Sequence, residues 1–241
     1  MQRSFPTIRR WFAAPGAILA LAALLAATGS PQRKGKMPPD LTEILSRMND
    51  SAKNLKTLSA SLEYTKVTAL VNDKSTETGQ LFFRKGKMPD ILIAIKKPEG
   101  KTILFRKNRA EIYQPKINQI QEYNLEGKSN LVEQFFLLGF GTETGELRKT
   151  YEVKYLNEED LDGDTTAVLE LTPRSEETLA QLLKVQLWVS EESWLPVQQK
   201  FFQPGGDYFL ARYTSVKVNR RLPASTFQIK AAEDAKRVKM N

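Results

Sequence analysis

The chain has 241 residues, 36 basic against 28 acidic side chains, a formal net charge of +8, and neither histidine nor cysteine. The missing residue types exclude Ser-His-Asp and Cys-His catalysis, thiol nucleophiles, disulfide bonds and ordinary zinc sites. Stability must therefore come from a hydrophobic core, and a chain of this length supplies one within a single domain.

The first 29 residues have the three-part pattern of an export signal. Three arginines precede an uninterrupted apolar run at residues 17–27, and the small residues Thr28 and Gly29 follow it. A membrane-spanning helix needs about 20 apolar residues, and this run is shorter, so we expect cleavage, with either the Sec or the Tat route open. We expect a periplasmic protein in which residues 1–29 are a signal peptide, residues 30–39 a flexible linker and residues 40–241 one domain.

Basic side chains occur in short clusters, such as residues 33–36, 84–87 and 106–109. Clusters of this kind are typical of solvated loops and edge strands, or of a surface that meets anionic lipid or an acidic partner. Both interpretations stay open. The excess of positive charge is mild for an exported protein, so we expect no nucleic acid partner.

An amphipathic helix is predicted at the start of the domain. Asp40 with Glu43 matches a capping box, and apolar residues then recur at helical spacing: Leu41, Ile44, Leu45, Met48, Ala52 and Leu55. From Thr57 the period changes to two, which is typical of a half-buried strand.

Short strands follow one another between turn-forming Gly, Pro and Asn residues. We predict them at 76–85, 90–97, 101–107, 110–115, 119–125, 151–156, 165–172, 183–190, 195–202, 208–219 and 226–230. Because parallel crossovers need a dozen or more residues, these strands form an antiparallel meander. Two further helices are predicted, a nearly all-apolar one at residues 129–140 and a brief one at residues 176–182.

A sheet of ten or eleven strands must curl or close, and the apolar helices need its concave face to bury their stripes. The predicted fold is therefore mainly β (α+β), an unclosed antiparallel β-barrel with a helical lid over a hydrophobic cavity. The predicted lid residues are Ile44, Leu45, Met48, Leu131, Phe135 and Phe136.

Bulky apolar residues dominate one parity of the predicted strands. They are Leu62, Tyr64, Leu81, Phe83, Ile91, Ile93, Ile95, Ile103 and Phe105, with Trp188 and Phe202 later in the chain. Such residues are either ordinary core or the wall of a cavity wider than the helices fill. A cavity lined in this way would bind acyl chains, which contribute about 0.8 kcal/mol per buried CH₂ group.

No motif indicates catalysis or metal binding. The acidic segment at residues 160–164 looks like a calcium loop, but its Gly163 is fourth rather than sixth, and Leu171 stands where a glutamate should be twelfth. Asp-Gly between strands predicts a turn instead. We expect no catalytic residue, cofactor or metal; a hydrolase using a Ser-Lys dyad or paired carboxylates is the rival hypothesis.

Several segments, in their order and spacing, resemble the LolA family of periplasmic lipoprotein carriers. They are the Ser-rich strand at residues 58–62, residues 79–85, the hairpin from Pro98 to Tyr113-Gln114-Pro115, the apolar helix around Phe135-Phe136, and Phe227. The resemblance runs over almost all of the mature sequence. It implies an unclosed barrel whose cavity shelters lipoprotein acyl chains, received from an inner-membrane ABC transporter and passed to an outer-membrane acceptor. We expect a monomer.

The family typically has an arginine before a proline on an early strand, where it helps to latch the lid. Here Met88 precedes Pro89, and the neighbouring Lys87 is the candidate latch, although lysine lacks the forked donors of arginine. The alternative function is a lipid- or glycolipid-binding or lipid-sensing envelope protein of the same fold.

Overall fold

Twelve β-strands form one continuous sheet in the computed structural model, which describes residues 39–126, 138–141 and 143–240. The strands are β1 (Thr57–Thr68), β2 (Asp73–Arg84), β3 (Asp90–Lys97), β4 (Lys101–Arg106), β5 (Arg109–Gln114), β6 (Gln119–Asn124), β7 (Tyr151–Leu161), β8 (Asp164–Pro173), β9 (Lys184–Ser190), β10 (Pro196–Phe202), β11 (Tyr208–Val218) and β12 (Lys236–Met240). The helices are α1 (Leu41–Asn54), α2 (Thr144–Thr150) and α3 (Glu176–Leu179). All described residues fall within one structural unit, Pro38–Asn241.

The order of the strands leaves the sheet unclosed. It reads β12-β6-β5-β4-β3-β2-β1-β11-β10-β9-β8-β7, so β7 and β12 occupy its two ends. β1 joins two antiparallel meanders, because it pairs with β2 on one side and with β11 on the other. These features confirm the predicted fold class, a mainly β protein with an unclosed, barrel-like sheet and few helices.

Helix α1 forms where the apolar spacing predicts it. The Asp40 side chain caps it by accepting a hydrogen bond from the N–H of Glu43 at 2.8 Å, which satisfies one of the free donors at the helix start. Ile44, Leu45 and Met48 are buried on the inner face of the sheet. Burial of each such side chain contributes about 1.5–3 kcal/mol, so α1 is held mainly by packing.

Two hydrophobic clusters share this inner face. The α1 cluster joins α1 to the β7–β10 half of the sheet and comprises Ile44, Leu45, Met48, Leu138, Leu147, Tyr151, Ala167, Leu169, Leu171, Leu182, Val185, Leu187, Val189, Trp194 and Phe201. The central cluster covers β1–β3 and β11 and comprises Leu55, Leu58, Ala60, Leu62, Leu81, Phe83, Ile91, Ile93, Ile95, Phe140, Leu195, Ala211 and Tyr213.

The C-terminal segment departs from the sequence prediction. Instead of a strand at 226–230, the chain forms a 3-10 turn at Ala224–Phe227, and Phe227 packs on Leu92 and Leu104 on the outer face of the sheet. The charged end, which patterning predicts as loose, forms β12, parallel to β6. Arg237 explains this pairing, because its guanidinium binds Glu111, at 2.9 Å, and Glu122.

Smaller differences also have physical reasons. α2 was not predicted, because Leu147 is its only buried residue and no apolar stripe marks it. β7 extends to Leu161 rather than to residue 156, since an edge strand exposes its polar residues and shows no alternation. The predicted signal peptide, most of the predicted linker and residues 129–137 of the predicted apolar helix, with Leu131, Phe135 and Phe136, lie outside the described residues.

Candidate functional site

Nine of the eleven predicted lining residues lie together on the inner face. Leu62, Leu81, Phe83, Ile91, Ile93 and Ile95 belong to the central cluster, and Tyr64, Ile103 and Phe105 pack against it. Strand register brings them together: Leu81 lies opposite Ile93, and Ile93 lies opposite Ile103. Alternation along each strand therefore identified one continuous apolar wall.

Trp188 and Phe202 are not part of this wall. Their strand neighbours Leu187 and Phe201 face inward, so these two residues face outward. Trp188 Nε1 donates to the Glu159 carboxylate at 2.7 Å, and the Lys200 ammonium lies 4.7 Å from the centre of the Phe202 ring. The assignment of both to the cavity lining is corrected, because it followed their bulk rather than their parity.

The predicted lid residues of α1 are tightly packed against the β8–β10 half of the sheet. A hydrogen bond and a cation–ring contact also hold this helix. Ser51 Oγ donates to the carbonyl oxygen of Ser193 at 2.9 Å, and the Arg47 guanidinium lies 5.1 Å from the centre of the Trp194 ring. α1 is thus fixed to the hairpin between β9 and β10.

Lys85, rather than the predicted Lys87, fastens the end of α1. Its Nζ donates to the carbonyl oxygens of Ala52 and Lys53, at 3.0 and 3.2 Å. A cation at this position satisfies free carbonyls and complements the negative end of the helix dipole. Lys87 is exposed in the turn between β2 and β3, and within the described residues it has no hydrogen bond or ion pair. Lys87 as a latch to the second predicted lid helix stays a prediction, because residues 129–137 of that helix lie outside the described residues.

Residues 138–141 lie on the inner face, and we call this segment the plug. Leu138 packs into the α1 cluster and Phe140 into the central cluster. The Phe140 ring meets the Tyr213 ring edge-on, with centroids 4.9 Å apart. Gly139 has φ +84°, and a Cβ there would lie 2.7 Å from Pro196 Cγ, so this close approach requires glycine. The plug therefore packs in the same cluster as the predicted lining residues, with Gly141 beside the Phe83 ring.

Gln199 holds the plug in place. Its side chain is 0% exposed, its Nε2 donates to the carbonyl oxygen of Leu138 at 2.7 Å, and its Oε1 accepts from the Tyr213 hydroxyl at 2.9 Å. Burial raises the pKa of Tyr213 well above its usual range, so the phenol stays protonated and donates. Sequence reasoning missed Gln199; the one signal is its inward parity, shared with Phe201.

The apolar wall continues outward to a partly accessible rim. Tyr64, Ile103 and Phe105 are only partly buried, and the Tyr64 ring stacks on Phe209 with centroids 5.7 Å apart. Burial, with the nearby Glu77 carboxylate as a second cause, raises the pKa of Tyr64 above its usual range. The wall therefore has a buried part, packed with the plug, and an accessible part at β1 and β4.

A surface depression lies away from this wall and has a different set of lining residues. It has a volume of about 940 Å³, and seven of its twelve lining residues are charged, among them Arg106, Arg109, Glu111 and Glu122. None of the predicted lining residues belongs to it.

The acidic segment after β7 is the predicted turn. Asp160 Oδ1 accepts from the N–H of Gly163 at 2.8 Å, and Asp162 pairs with Arg212. Across the described residues, no three or more carboxylates are arranged to hold a metal ion. In the same part of the chain, no helix has the length and apolar character needed to cross a membrane.

Solved structures share this fold at low sequence identity. An uncharacterized conserved protein from Thermus thermophilus superposes with a TM-score of 0.55 at 12% identity, over 83% of this chain and 98% of that one. The Mycobacterium tuberculosis lipoprotein LppX gives 0.50 at 11% identity, over 76% and 99%. Likeness at these identities shows the fold alone.

MucB also shares the fold, with a TM-score of 0.52 at 13% identity, over 79% of this chain and 62% of that one. MucB has been crystallised with MucA, and the complex from Pseudomonas aeruginosa aligns with a TM-score of 0.48. The present chain spans about 60% of the MucB chains in those complexes.

No curated protein matches the sequence. A family model with the description "Uncharacterized protein" matches residues 90–231, which is more than half of the chain, and the protein therefore belongs to that family.

Proposed function

We propose that this protein binds acyl chains on the inner face of its unclosed barrel and carries them through the periplasm without catalysing a reaction. The observation that carries the proposal is the continuous apolar wall, which extends from the covered Ile91 and Ile93 to the partly accessible Ile103 and Phe105. A linear hydrocarbon fits such a wall, because each buried CH₂ group contributes about 0.8 kcal/mol.

Loading requires the plug to move. The buried lining residues are at most 7% exposed and share one cluster with Phe140, so an acyl chain reaches them only when the packing of this cluster opens. The acyl chain would replace the apolar contacts of Phe140 with its own, while the plug would give up its Gln199 hydrogen bond and the packing of Leu138. Ligand binding then shifts a closed–open equilibrium, and transfer needs only a difference in affinity between successive partners.

The resemblance to LolA supports a specific cargo and route. The cargo is the acyl chains of a lipoprotein, the donor an inner-membrane ABC transporter and the acceptor a protein of the outer membrane. The export-signal pattern of residues 1–29 supports a periplasmic site of action. The absence of histidine and cysteine from the chain supports binding rather than catalysis.

A second candidate is an envelope lipid sensor that signals to a regulator. The likeness of fold to MucB favours it. Pull-down from envelope extracts separates the two functions: a carrier recovers a transporter subunit, whereas a sensor recovers a signalling protein.

Lipid retention tests the proposal directly. Mass spectrometry after detergent-free purification should find acyl chains bound, and a fluorescent sixteen-carbon fatty acid should bind the purified protein. Ile103→Glu places a charge on the rim of the wall and should abolish both signals. Thr102→Glu is the matched control, since it lies on the opposite face of β4 and should leave binding unchanged. Equal binding by both variants contradicts the proposal.

A further inference from the structure

Exposed apolar side chains collect at one end of the sheet, where β1 and β10 end and β9 and β11 begin. Leu70 and Val71, in the turn between β1 and β2, are 92% and 67% exposed. Leu183, just before β9, is also exposed, and its N–H donates to the carbonyl oxygen of Phe202 at 2.8 Å. We call the turns at residues 69–72 and 203–207, with Leu183, the tip.

Contacts between its two turns fix the conformation of the tip. Asp207 Oδ1 accepts from the N–H of Ala69 at 2.8 Å, and a Cβ added to Gly206 would lie 3.2 Å from the Ala69 Cβ. Asn72 closes the turn in the left-handed region at φ 50° and donates its N–H to the carbonyl oxygen of Ala69 at 3.2 Å. The two turns thus support each other and hold the Leu70 and Val71 side chains in solvent.

Aromatic rings and a lysine lie directly beside the tip on the outer face. The Lys200 ammonium is 4.2 Å from the centre of the Tyr208 ring and 4.7 Å from that of Phe202. Tyr208 lies opposite Val67, the second-last residue of β1, so these rings border the apolar turn. Aromatic rings beside lysines are typical of side chains at the level of lipid head groups.

Lysines outnumber acids beside the two turns of the tip, where Lys66, Lys74 and Lys200 stand against Asp73 and Asp207. Two of its carboxylates are engaged, Asp207 with the Ala69 N–H and Glu170 with Lys184 at 2.7 Å. Within the described residues, no carboxylate lies within ion-pair distance of Lys66, Lys74 or Lys200. The other acids at this end are Asp73 in the turn and the exposed Glu176 and Glu177 of α3, before Leu183. A lysine close to an anionic bilayer is attracted to its phosphate layer.

We propose that the tip docks the protein onto a membrane surface with anionic head groups. Leu70 and Val71 enter the boundary of the acyl layer, Tyr208 and Phe202 lie among the head groups, and the unpaired lysines contact phosphates. A protein groove would accept the two apolar side chains equally well, but it does not account for the surrounding lysines and interfacial rings. The inference goes beyond the proposed function, because docking does not require an acyl chain on the inner wall.

A single fluorescent label tests where the protein meets the membrane. The chain has no cysteine, so Leu70→Cys takes one environment-sensitive dye, and Met88→Cys in the exposed turn between β2 and β3, at the opposite end of the sheet, is the control. Vesicles of phosphatidylcholine with phosphatidylglycerol should shift the emission of the Leu70 label to the blue and leave the Met88 label unchanged. No shift, or equal shifts at both positions, overturns the proposal.

Vesicle flotation of unlabelled protein gives an independent readout. Leu70→Ser combined with Val71→Ser should lower binding to the same vesicles about tenfold, whereas Val218→Ser, an exposed apolar residue at the other end, should not. Undiminished binding by the double variant, or equal binding of the native protein to pure phosphatidylcholine, refutes the assignment. Fatty-acid binding in vesicle-free solution should be the same in all three proteins, which separates a failure of docking from a failure of the carrier function.

Discussion

Replacing Gln199 with leucine tests whether the plug governs access to the apolar wall. The substitution keeps the side chain's volume but removes the donor to the carbonyl oxygen of Leu138 and the acceptor for the Tyr213 hydroxyl. An unsatisfied buried polar group costs about 1–3 kcal/mol. Part of this cost falls on the closed state alone, because the carbonyl of a released plug meets water.

The expected effect is a gain in affinity together with a loss of stability. A closed state destabilised by about 1–3 kcal/mol shifts the closed–open equilibrium about five-fold to a hundredfold toward open, and the apparent Kd for a fatty acid falls accordingly. Titration with the fluorescent fatty acid measures the Kd, and urea unfolding measures the stability. Gln198→Leu, on the outward side of β10, should alter neither quantity appreciably.

The opposite pattern would refute this reasoning. If Gln199→Leu lowers the free energy of unfolding but leaves the Kd unchanged or raised, the hydrogen bond to Leu138 supports the fold and does not control the plug. Tyr213→Phe makes the comparison sharper. It preserves the bond between Gln199 and Leu138, so its Kd should remain close to that of the native protein.

Three further predictions concern stability. Lys85→Ala should lower the free energy of unfolding by about 0.5–1 kcal/mol, because the end of α1 loses its cation. Lys87→Ala should change the free energy of unfolding by less than about 0.3 kcal/mol. Urea titrations in which Lys87→Ala is the more destabilising variant count against Lys85 as the residue that fastens α1. Burial raises the pKa of Tyr213 in the folded state. The protonated phenol therefore contributes fully to the free energy of unfolding below the unfolded pKa of about 10, and this contribution is lost as the pH rises beyond that value. Tyr213→Phe should flatten the fall in stability above pH 10; an unchanged slope is the contrary result. Ile93 is 3% exposed, so Ile93→Glu should unfold the protein by burying an unpaired charge. Ile103→Glu, on the rim, should retain the native circular dichroism spectrum. If both variants fold equally well, Ile93 is not more deeply buried than Ile103.

Most of the sheet could be predicted because its strands alternate and its turns contain strong breaking residues. The inner wall followed from the same parity, since Leu81, Ile93 and Ile103 are neighbours through strand register. Where bulk replaced parity as the criterion, the assignment was wrong, as Trp188 and Phe202 show.

The remaining features depend on contacts between residues distant in the chain. β12 forms because Arg237 meets Glu111 and Glu122, more than 100 positions away. Gln199 sits in a polar stretch, and only the fold brings it to the carbonyl of Leu138. Lys85 and Lys87 share a basic turn in the sequence, and only the position of α1 decides which of them fastens the helix.

Photo-crosslinking with a diazirine-bearing fatty acid tests the central claim most directly, because it reports which side chains touch the hydrocarbon. We predict adducts on Ile103, Phe105 and their inward-facing neighbours, with more adducts in Gln199→Leu protein. Adducts confined to outward-facing residues such as Leu104 and Tyr113, or none above the level of a denatured sample, would contradict this claim.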